Sequence, residues 1–420
     1  MGKELPKNWI TVSLKDITKN VKGKKPKIQS EVEFEGSVPY MDIKALEYNE
    51  IRQYADIESS KLFEEGDVAM VWDGARSGWV SKTNFGAIGS TLVAFKPIDI
   101  NSDYLFYYLL EKYPYINSNA RGVGIPHVDP TVLWGLDFPL PPLAEQNRIV
   151  AKLDTLFAQL EIIKASMGNI LLLLKDFRQQ VLDKEFNQNF KKIELQNLCF
   201  KIQDGAHHSP KITYESQLEN TFPYITSKNI RNNYMKLDNV RYVDFEFHNS
   251  IYPRCTPEIG DVLLTKDGAN TGNVTLNELN EPFSLLSSVC LIKTYKEKLL
   301  PEYLTYYFQS NIGFSELIGE MTGTAIKRIV LKKIKATQIP VPSLEKQREI
   351  VNRAESLFAK ANAIEKQYKT LKQKIDTLPQ ALLHKAFKGE LTEQLDSDGD
   401  ARELLDEIKV LKSEIKKKSK

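Results

Sequence analysis

Two long stretches of the chain carry apolar residues at alternating intervals of four and three. This heptad spacing is typical of a helix that buries one narrow stripe against a partner helix. Each stretch predicts a helix of about 35–40 residues, roughly 55 Å long. The apolar positions are Ile149, Leu153, Leu156, Leu160, Ile163, Met167, Ile170, Leu174, Phe177 and Val181 in the first stretch, and Ile350, Ala354, Leu357, Ala361, Ile364, Tyr368, Leu371, Ile375, Leu378 and Leu382 in the second.

Two residues disturb these patterns. Gly168 is the only weak helix former within the first stretch, and it costs about 1 kcal/mol relative to alanine. Pro379 lies inside the second stretch and removes a backbone hydrogen bond. We therefore expect a kink or an interruption near Asp376–Leu378.

The segments that lead into the two stretches are copies of one another. Residues 139–150 have the sequence PLPPLAEQNRIV, and residues 340–351 have the sequence PVPSLEKQREIV. Shorter matches precede them in the same order, including Gly66-Asp67-Val68 with Gly260-Asp261-Val262. Collinear matches of this kind predict an internal repeat of roughly two hundred residues and pseudo-two-fold symmetry.

This symmetry predicts how the two helices pair. If a two-fold axis crosses the pair at right angles, the helices run antiparallel and their apolar stripes form one interface. The alternative is two ordinary core helices in separate domains. The interface is predicted to contain Ile149, Leu153, Leu156, Leu160, Ile163, Ile170, Leu174, Ile350, Leu357, Ile364, Leu371 and Ile375.

Outside the helices, short β-rich runs alternate with Gly, Pro, Asn and Asp. The chain therefore belongs to the α+β class, with two pseudo-symmetric α/β domains separated by an antiparallel coiled coil. Strands are predicted at 67–72, 88–95, 261–265, 273–276 and 285–293, and short helices at 104–113 and 303–308. The predicted boundaries are 1–142 and 185–342 for the two domains, 143–184 and 343–389 for the long helices, and 390–420 for a C-terminal tail with a short helix.

The composition is that of a soluble globular protein, with 42% apolar and 27% charged residues. No uninterrupted apolar run approaches the roughly 20 residues that span a bilayer, so no membrane partner is expected. The N-terminus has no apolar signal segment, which predicts a cytoplasmic location. Cys199, Cys255 and Cys290 are widely spaced and odd in number, so they are predicted to be free thiols.

Several catalytic signatures do not occur in the chain. It has no phosphate-binding loop of ATPases and no dinucleotide-binding glycine fingerprint. The Asn/Asp-Pro-Pro-Tyr/Phe motif, with which adenine methyltransferases hold a flipped base, does not occur either. His207-His208 has no acidic or cysteine partner at ligand spacing, so no metal site is expected. These observations predict no catalytic residue.

Several glycine-containing loops combine cations with amide side chains. Arg and Lys suit guanine edges and phosphates, Asn and Gln suit adenine edges, and glycine permits close approach to a groove. An ordinary solvated turn is the alternative for each loop, although four of the five loops fall at matched positions of the repeat. Arg76 and Asn270 lie in one matched pair of loops, and Arg121 and Lys327 lie in another. The candidate DNA-binding residues are Arg76, Ser77, Lys82, Asn119, Arg121, His207, His208, Lys211, Lys266, Asn270, Thr271, Asn273, Thr324, Lys327 and Arg328.

With the duplicated proline-rich box, the two heptad stretches and the repeated Leu-Phe-Ala segments, the sequence resembles the DNA-specificity subunits of Type I restriction-modification systems. Residues 378–391, LPQALLHKAFKGEL, and the opening residues 5–9, LPKNW, add to the resemblance. It covers nearly the whole chain. The helical boxes are its specific part, because the globular domains of such proteins vary most.

The resemblance implies a function without chemistry of its own. Each domain would recognise one half of a split double-stranded DNA site, and the helices would set the distance between the halves. Two methylation subunits would dock on the helices, and restriction subunits would complete the complex. S-adenosylmethionine, ATP and Mg²⁺ would be used by those partners, and no cofactor would bind this chain directly.

Two alternatives remain open at this point. The first is a two-headed coiled-coil adaptor that binds protein partners, which a net charge of only +2 favours slightly. The second is a stand-alone nuclease or methyltransferase, which the absent motifs oppose.

Overall fold

The computed structural model describes residues 5–319 and 328–418. These residues divide into two compact units. Unit 1 contains the chain up to Ser166 together with the residues from Leu371 onward, and unit 2 contains Met167–Thr370. Unit 2 is therefore one continuous segment, whereas unit 1 is assembled from two segments.

The first segment of unit 1 is built mainly from short antiparallel strands around one long domain helix. Its elements are β1 (Ile10–Ser13), α1 (Leu14–Ile17), β2 (Thr18–Lys22), β3 (Gln29–Ser30), β4 (Ser37–Met41), α2 (Ile43–Tyr48), β5 (Tyr54–Asp56), β6 (Leu62–Phe63), β7 (Val68–Val71), β8 (Val80–Lys82), β9 (Gly86–Ile88), β10 (Leu92–Pro97), α3 (Ser102–Ser118), α4 (Pro130–Trp134), β11 (Asp137–Leu140) and α5 (Leu143–Gly168).

Unit 2 repeats much of this order. Its elements, followed by the C-terminal helix that belongs to unit 1, are α6 (Ile170–Phe186), β12 (Lys192–Glu194), β13 (Cys199–Asp204), β14 (Thr221–Ile225), β15 (Ile230–Arg231), β16 (Tyr234–Met235), β17 (Arg241–Asp244), α7 (Phe245–Cys255), β18 (Val262–Thr265), β19 (Val274–Leu276), β20 (Ser284–Leu285), β21 (Val289–Thr294), α8 (Pro301–Gln309), α9 (Asn311–Ile318), α10 (Leu331–Ala336), β22 (Gln338–Pro340), α11 (Leu344–Phe387) and α12 (Ala401–Lys418).

The sheets confirm the predicted α+β class and the internal repeat. The four-stranded sheet of unit 1 has the order β2-β10-β7-β8, and that of unit 2 has the matching order β13-β21-β18-β19. A two-stranded ribbon accompanies each sheet, β1-β11 in unit 1 and β12-β22 in unit 2. A five-stranded sheet, β3-β5-β4-β9-β6, completes unit 1. The predicted strands at 88–95 and 285–293 are each two strands. A tight turn at Gly89 separates β9 from β10, and one at Leu286 separates β20 from β21.

The core of each unit is closed by a phenylalanine near the end of a long helix. In unit 2, Phe186 of α6 packs edge-on against Tyr303 and Tyr307 of α8. In unit 1, Phe387 of α11 packs in the same way against Tyr104 and Tyr108 of α3.

The hydroxyl groups of these tyrosines also donate to matched backbone carbonyls. Tyr104 bonds to Pro139 at 2.9 Å, and Tyr303 bonds to Pro340 at 2.8 Å. Each unit thus contains the same core, although the closing helix comes from the C-terminal part of the chain in unit 1.

The C-terminal tail is part of unit 1. Arg148 of α5 forms a bidentate ion pair with Asp398, and the buried carboxylate of Glu145 accepts hydrogen bonds from Trp9 and Gln394. The predicted short helix of the tail is α12, whose Leu404 and Ile408 enter the unit 1 core.

The long helices depart from the sequence expectations at two points. The first is divided at Asn169, directly after Gly168, into α5 and α6. The expectation of an interruption at Pro379 is wrong, since α11 continues through it to Phe387. Leu383, Ala386 and Phe387, which follow the proline, are held in the unit 1 core, and this packing offsets the lost backbone bond.

In unit 2, the helices α6 and α11 run antiparallel. Arg178 pairs with Glu365 at 2.9 Å, and Glu185, further along α6, pairs with Arg353, further back along α11, at 3.3 Å. Of the predicted interface positions, Ile149, Leu153, Leu160, Leu174, Ile350 and Ile375 are buried, Leu156, Ile170 and Leu357 are half-buried, and Ile163, Ile364 and Leu371 are exposed.

A buried glutamine joins the domain to the long helix in each unit. The side chain of Gln146 accepts from the backbone of Asn101 at 2.9 Å and donates to the carbonyl of Pro141. Gln347 accepts from Leu300 at 2.9 Å and donates to the carbonyls of Lys298 and Pro342. Both copies of the duplicated box therefore contain a glutamine whose amide connects three elements. These are the proline-rich segment just before the long helix (the proline strap, 139–142 or 340–342), the long helix itself and the start of the domain helix.

Replacing this amide tests its contribution to stability. We expect Gln347→Ala to lower the free energy of unfolding by about 2–4 kcal/mol, because buried backbone groups lose their partner. Gln367→Ala changes an exposed glutamine of the same helix and should stay within about 0.5 kcal/mol of the unaltered chain. Urea denaturation followed by circular dichroism measures both, and equal midpoints for the two variants would contradict the assignment.

Candidate nucleic-acid interface

The same hairpin loop appears in both units. Residues 73–79 connect β7 to β8 in unit 1, and residues 267–273 connect β18 to β19 in unit 2. In the first loop the amide of Gly78 donates to Val71 at 2.7 Å, and in the second that of Gly272 donates to Thr265 at 2.8 Å. All four loop glycines have positive φ angles, from +90° to +116°. The backbone is therefore constant between the units while the side chains differ.

The positively charged side chain of the 73–79 loop, Arg76, is oriented by an acidic neighbour. Arg76 donates to Glu47 of α2 at 2.7 Å, and its guanidinium lies over the ring of Trp79. The hydrogen bond from Arg76 lowers the pKa of the Glu47 carboxyl. Arg76 remains partly exposed, so it is available to an anionic partner that displaces Glu47.

Two other candidates in this part of unit 1 are placed differently. Ser77 is completely buried, and a contact with DNA would require the loop to open. Lys82 pairs with Asp103 near the start of α3, whereas the 73–79 loop is held by Asn117 near the end of that helix. These two ends lie roughly 20 Å apart along the helix, so Lys82 and the loop that carries Arg76 do not belong to one local cluster.

A second hairpin lies against the 73–79 loop. The backbones of Arg121 and His127 bond to each other in both directions, at 2.9 and 2.8 Å. The amide of Gly74 donates to Pro126 at 2.7 Å, which joins the hairpin to the loop. Arg121 is exposed and pairs with Asp129. Asn119, just before the hairpin, is exposed and donates to the carbonyl of Tyr115.

Unit 2 has the equivalent junction between loop and return strand. Asp267 forms an antiparallel bridge with Arg328, as Asp73 does with His127. The next residues, Ile329 and Val128, are both buried. His127 is therefore the structural counterpart of Arg328, at the ends of the two loops that the sequence analysis matched. Thr324 and Lys327 lie outside the described residues.

Two acidic residues organise a charge cluster in unit 2. The buried Lys266 lies 2.9 Å from Asp267 and 3.6 Å from Asp204, at the distances of their nearest charged atoms. Arg328 completes the cluster on one side, 3.0 Å from Asp267. Lys266 is therefore a neutralising group inside the cluster and does not face solvent.

On the other side of the cluster, an exposed arginine and an exposed histidine contact Asp204. Arg254 of α7 donates to its carboxylate at 2.7 Å and to its backbone carbonyl, and His207 lies 3.2 Å away. Burial alone would raise the pKa of Asp204, but Arg254, Lys266 and His207 bring it below its ordinary value. Sequence patterns did not identify Arg254, because it lies on helix α7 and not in a glycine-containing loop.

The cluster has a chemically inverted counterpart in unit 1. Lys22 lies opposite Val93 in the sheet, as Asp204 lies opposite Cys290. Lys22 pairs with Asp73 at 2.8 Å and lies over the ring of Trp72. Lys22 could not be identified from the sequence, because no motif marks the end of a strand as a partner of a distant loop.

The remaining candidates of unit 2 are divided between loop and surface positions. Asn270 and Asn273 donate to the backbone of the neighbouring 227–230 segment, and Thr271 is buried and bonds to Gly268. His208 and Lys211 line a separate cleft beside Phe247 of α7.

Among the described residues, no group of three His, Cys, Asp or Glu side chains is arranged to hold a metal ion. The three cysteines are buried free thiols, as predicted.

Comparison with known proteins identifies one consistent family. Residues 6–170 and 187–373 each match the Type I restriction modification DNA specificity domain. The chain is 31% identical to the specificity subunit of the Type I restriction enzyme EcoBI of Escherichia coli, over 72% of this chain and 70% of that protein. It is 28% identical to the MjaVIII specificity subunit of Methanocaldococcus jannaschii, over 85% and 87%.

Solved structures share the fold. The HsdS subunit of Thermoanaerobacter tengcongensis superposes with a TM-score of 0.63 at 19% identity, covering 92% of this chain and 98% of its own. A chain from a structure of the type I R-M system, described in terms of complex assembly and conformational transition, gives a TM-score of 0.68 at 20% identity, covering 92% and 100%.

The shape of the 73–79 loop depends on its glycines. A Cβ at Gly78 would lie 2.6 Å from Ile116 Cγ2, whereas a Cβ at Gly74 would meet nothing within 4 Å. We expect Gly78→Ala to destabilise the chain by about 2–4 kcal/mol through strain and overpacking. Gly74→Ala should cost about 1–2 kcal/mol, from backbone strain alone. Thermal and urea unfolding of both variants measure the difference, and an equal cost would refute the packing argument.

Proposed function

Because the chain belongs to the Type I restriction modification DNA specificity family, we propose that it binds a split DNA site, with one recognition domain on each half-site. The observation that carries this proposal is the repeated loop architecture, in which the 73–79 and 267–273 loops share a backbone but not side chains. Two copies of one frame with different side chains suit two different half-sites, because base-edge contacts determine sequence preference.

The chain is a non-catalytic specificity subunit, and chemistry is assigned to its partners. Methylation subunits would use S-adenosylmethionine, and restriction subunits would use ATP and Mg²⁺. A cytoplasmic location, where the DNA and these partners meet, follows from the same proposal.

The first long helix supports a scaffolding role. Leu171, Leu172, Leu173 and Phe177 of α6 are all exposed, with Leu172 and Leu173 at 57% and 63%. Among the described residues, Leu143–Phe186 is the one helical stretch whose length and apolar content would allow it to cross a membrane. Lys175, Asp176 and Arg178 interrupt its apolar surface, which favours a protein partner over lipid. We assign the exposed surface of α6 to the methylation subunits.

The adaptor alternative also predicts exposed apolar helices, but it does not account for the paired loops. Membership in the specificity family also weighs against this alternative.

Methylome sequencing of cells that express this chain with its cognate methylation subunit tests the proposed function. We expect methyl-adenine in a split motif, lost when the chain is deleted. Arg76→Ala should relax recognition of one half-site, and Arg328→Ala should relax recognition of the other. If each contact is bidentate to a base, each variant should lose about 1–3 kcal/mol of binding free energy for its half-site.

The control is Arg52→Ala, because Arg52 matches Arg76 in exposure, at 40% against 43%, and is also paired with a carboxylate. It should leave both half-sites unchanged. A methylome that does not depend on the chain, with an active methylation subunit, would refute DNA recognition. Loss of both half-sites in a single variant would refute the division of labour.

Docking on α6 has a separate test. We expect the double variant Leu172→Ser, Leu173→Ser to co-purify with at least tenfold less methylation subunit, because each exposed leucine contributes apolar area to the contact. Leu218→Ser, at a similarly exposed leucine of the unit 2 domain, should bind normally. Unchanged capture by the double variant, or equal loss in the control, would assign docking to another surface.

A further inference from the structure

The tip of the 121–127 hairpin is apolar and completely exposed. Val123 has 110% of its reference exposure and Ile125 has 70%. They are separated by Gly124, whose neighbourhood is open. Isolated exposed aliphatic residues are common on protein surfaces, but two at the tip of one hairpin in a charged region suggest a specific contact.

The hairpin holds this tip in a defined position. The paired backbone bonds between Arg121 and His127 close its base, and the Gly74–Pro126 bond fixes it to the 73–79 loop. Gly122 has a φ of +107°, and a Cβ there would lie 2.5 Å from the carbonyl oxygen of Ile125. The aliphatic side chains therefore project from a turn whose base is fixed by backbone hydrogen bonds.

The surroundings of the tip indicate which partner it fits. Arg121 lies at the base of the hairpin and Arg76 on the adjoining loop, and both are substantially exposed. Cations beside an apolar tip suit a polyanion whose surface also presents apolar groups. DNA meets both conditions.

The chemistry of the tip selects the groove. The minor groove presents hydrogen-bond donors and acceptors, whereas the major groove also presents an apolar group. Among the base edges in the major groove, the C5-methyl of thymine is the apolar group that an aliphatic side chain can recognise. Valine and isoleucine have no donor or acceptor for the other edges.

We propose that Val123 and Ile125 are specificity-determining residues that contact thymine methyl groups in the major groove of one half-site. This inference rests on the proposed DNA recognition and adds a base preference to it.

The test uses the full chain in complex with its methylation subunit and duplexes that carry the methylome-defined site. Replacing thymine by deoxyuridine removes only the methyl group. We expect replacement in the half-site affected by Arg76→Ala to weaken binding roughly fourfold per contacted methyl, since burying one such group contributes about 0.8 kcal/mol. The double variant Val123→Ala, Ile125→Ala should bind the unmodified site more weakly and be insensitive to this replacement.

Two controls isolate the contact. Val32→Ala changes a valine of similar exposure, 73%, on a different loop and should retain the full uracil effect. Deoxyuridine in the other half-site should affect the double variant and the unaltered chain equally.

Three results would overturn the inference. In the first, the unaltered complex binds the uracil-containing and the unmodified duplex equally. In the second, uracil weakens binding by the double variant as much as binding by the unaltered chain. In the third, the double variant binds DNA normally but loses its methylation subunit. If the unaltered complex does not prefer its site over a scrambled duplex, the proposed function fails as well, and this result is distinguishable from the other three.

Discussion

A buried amide fixes the geometry on which the rest of each unit depends. Gln146 and Gln347 are completely buried, and each bonds to the proline strap before its long helix and to the start of its domain helix. A buried amide without these partners would be costly, so the three segments are held in one arrangement. The loops of each domain are thereby placed relative to the adjoining part of a long helix, and recognition is connected to the surface where we propose that partners dock.

On this frame, the two units vary their side chains at constant backbone positions. The glycines and the aspartate of the 73–79 and 267–273 loops are kept, while Lys22 is exchanged for Asp204, Trp72 for Lys266 and His127 for Arg328. The sign of the charge at the strand end is reversed, yet both units neutralise the acidic residue that follows the strand. A new base preference therefore requires a compatible set of charges and not a new fold.

The repeat, the fold class and the long helices could be predicted from the sequence because their signals are periodic or duplicated. Local sequence patterns were less informative at positions whose structure depends on contacts between residues far apart in the chain. Pro379 remains helical because the residues after it are anchored in a core, and Lys266 is buried because two aspartates surround it. Lys22, His127 and Arg254 join the loops through strand register and tertiary contacts, which no spacing rule reveals. The bridges to Asp73 and Asp267 align His127 with Arg328, an equivalence that residue type does not reveal.

The division of unit 1 between two chain segments has a consequence for biosynthesis. Unit 2 is continuous, so all of its core residues are synthesised before residues 371–418. Unit 1 cannot close its core until Phe387, Leu404 and Ile408 arrive, although most of that core was synthesised first. The domain translated first is therefore completed last, and its apolar helix-binding surface stays open during translation of the second domain. Of the two domains, the N-terminal one is the more exposed to misassembly and to chaperone capture on the nascent chain.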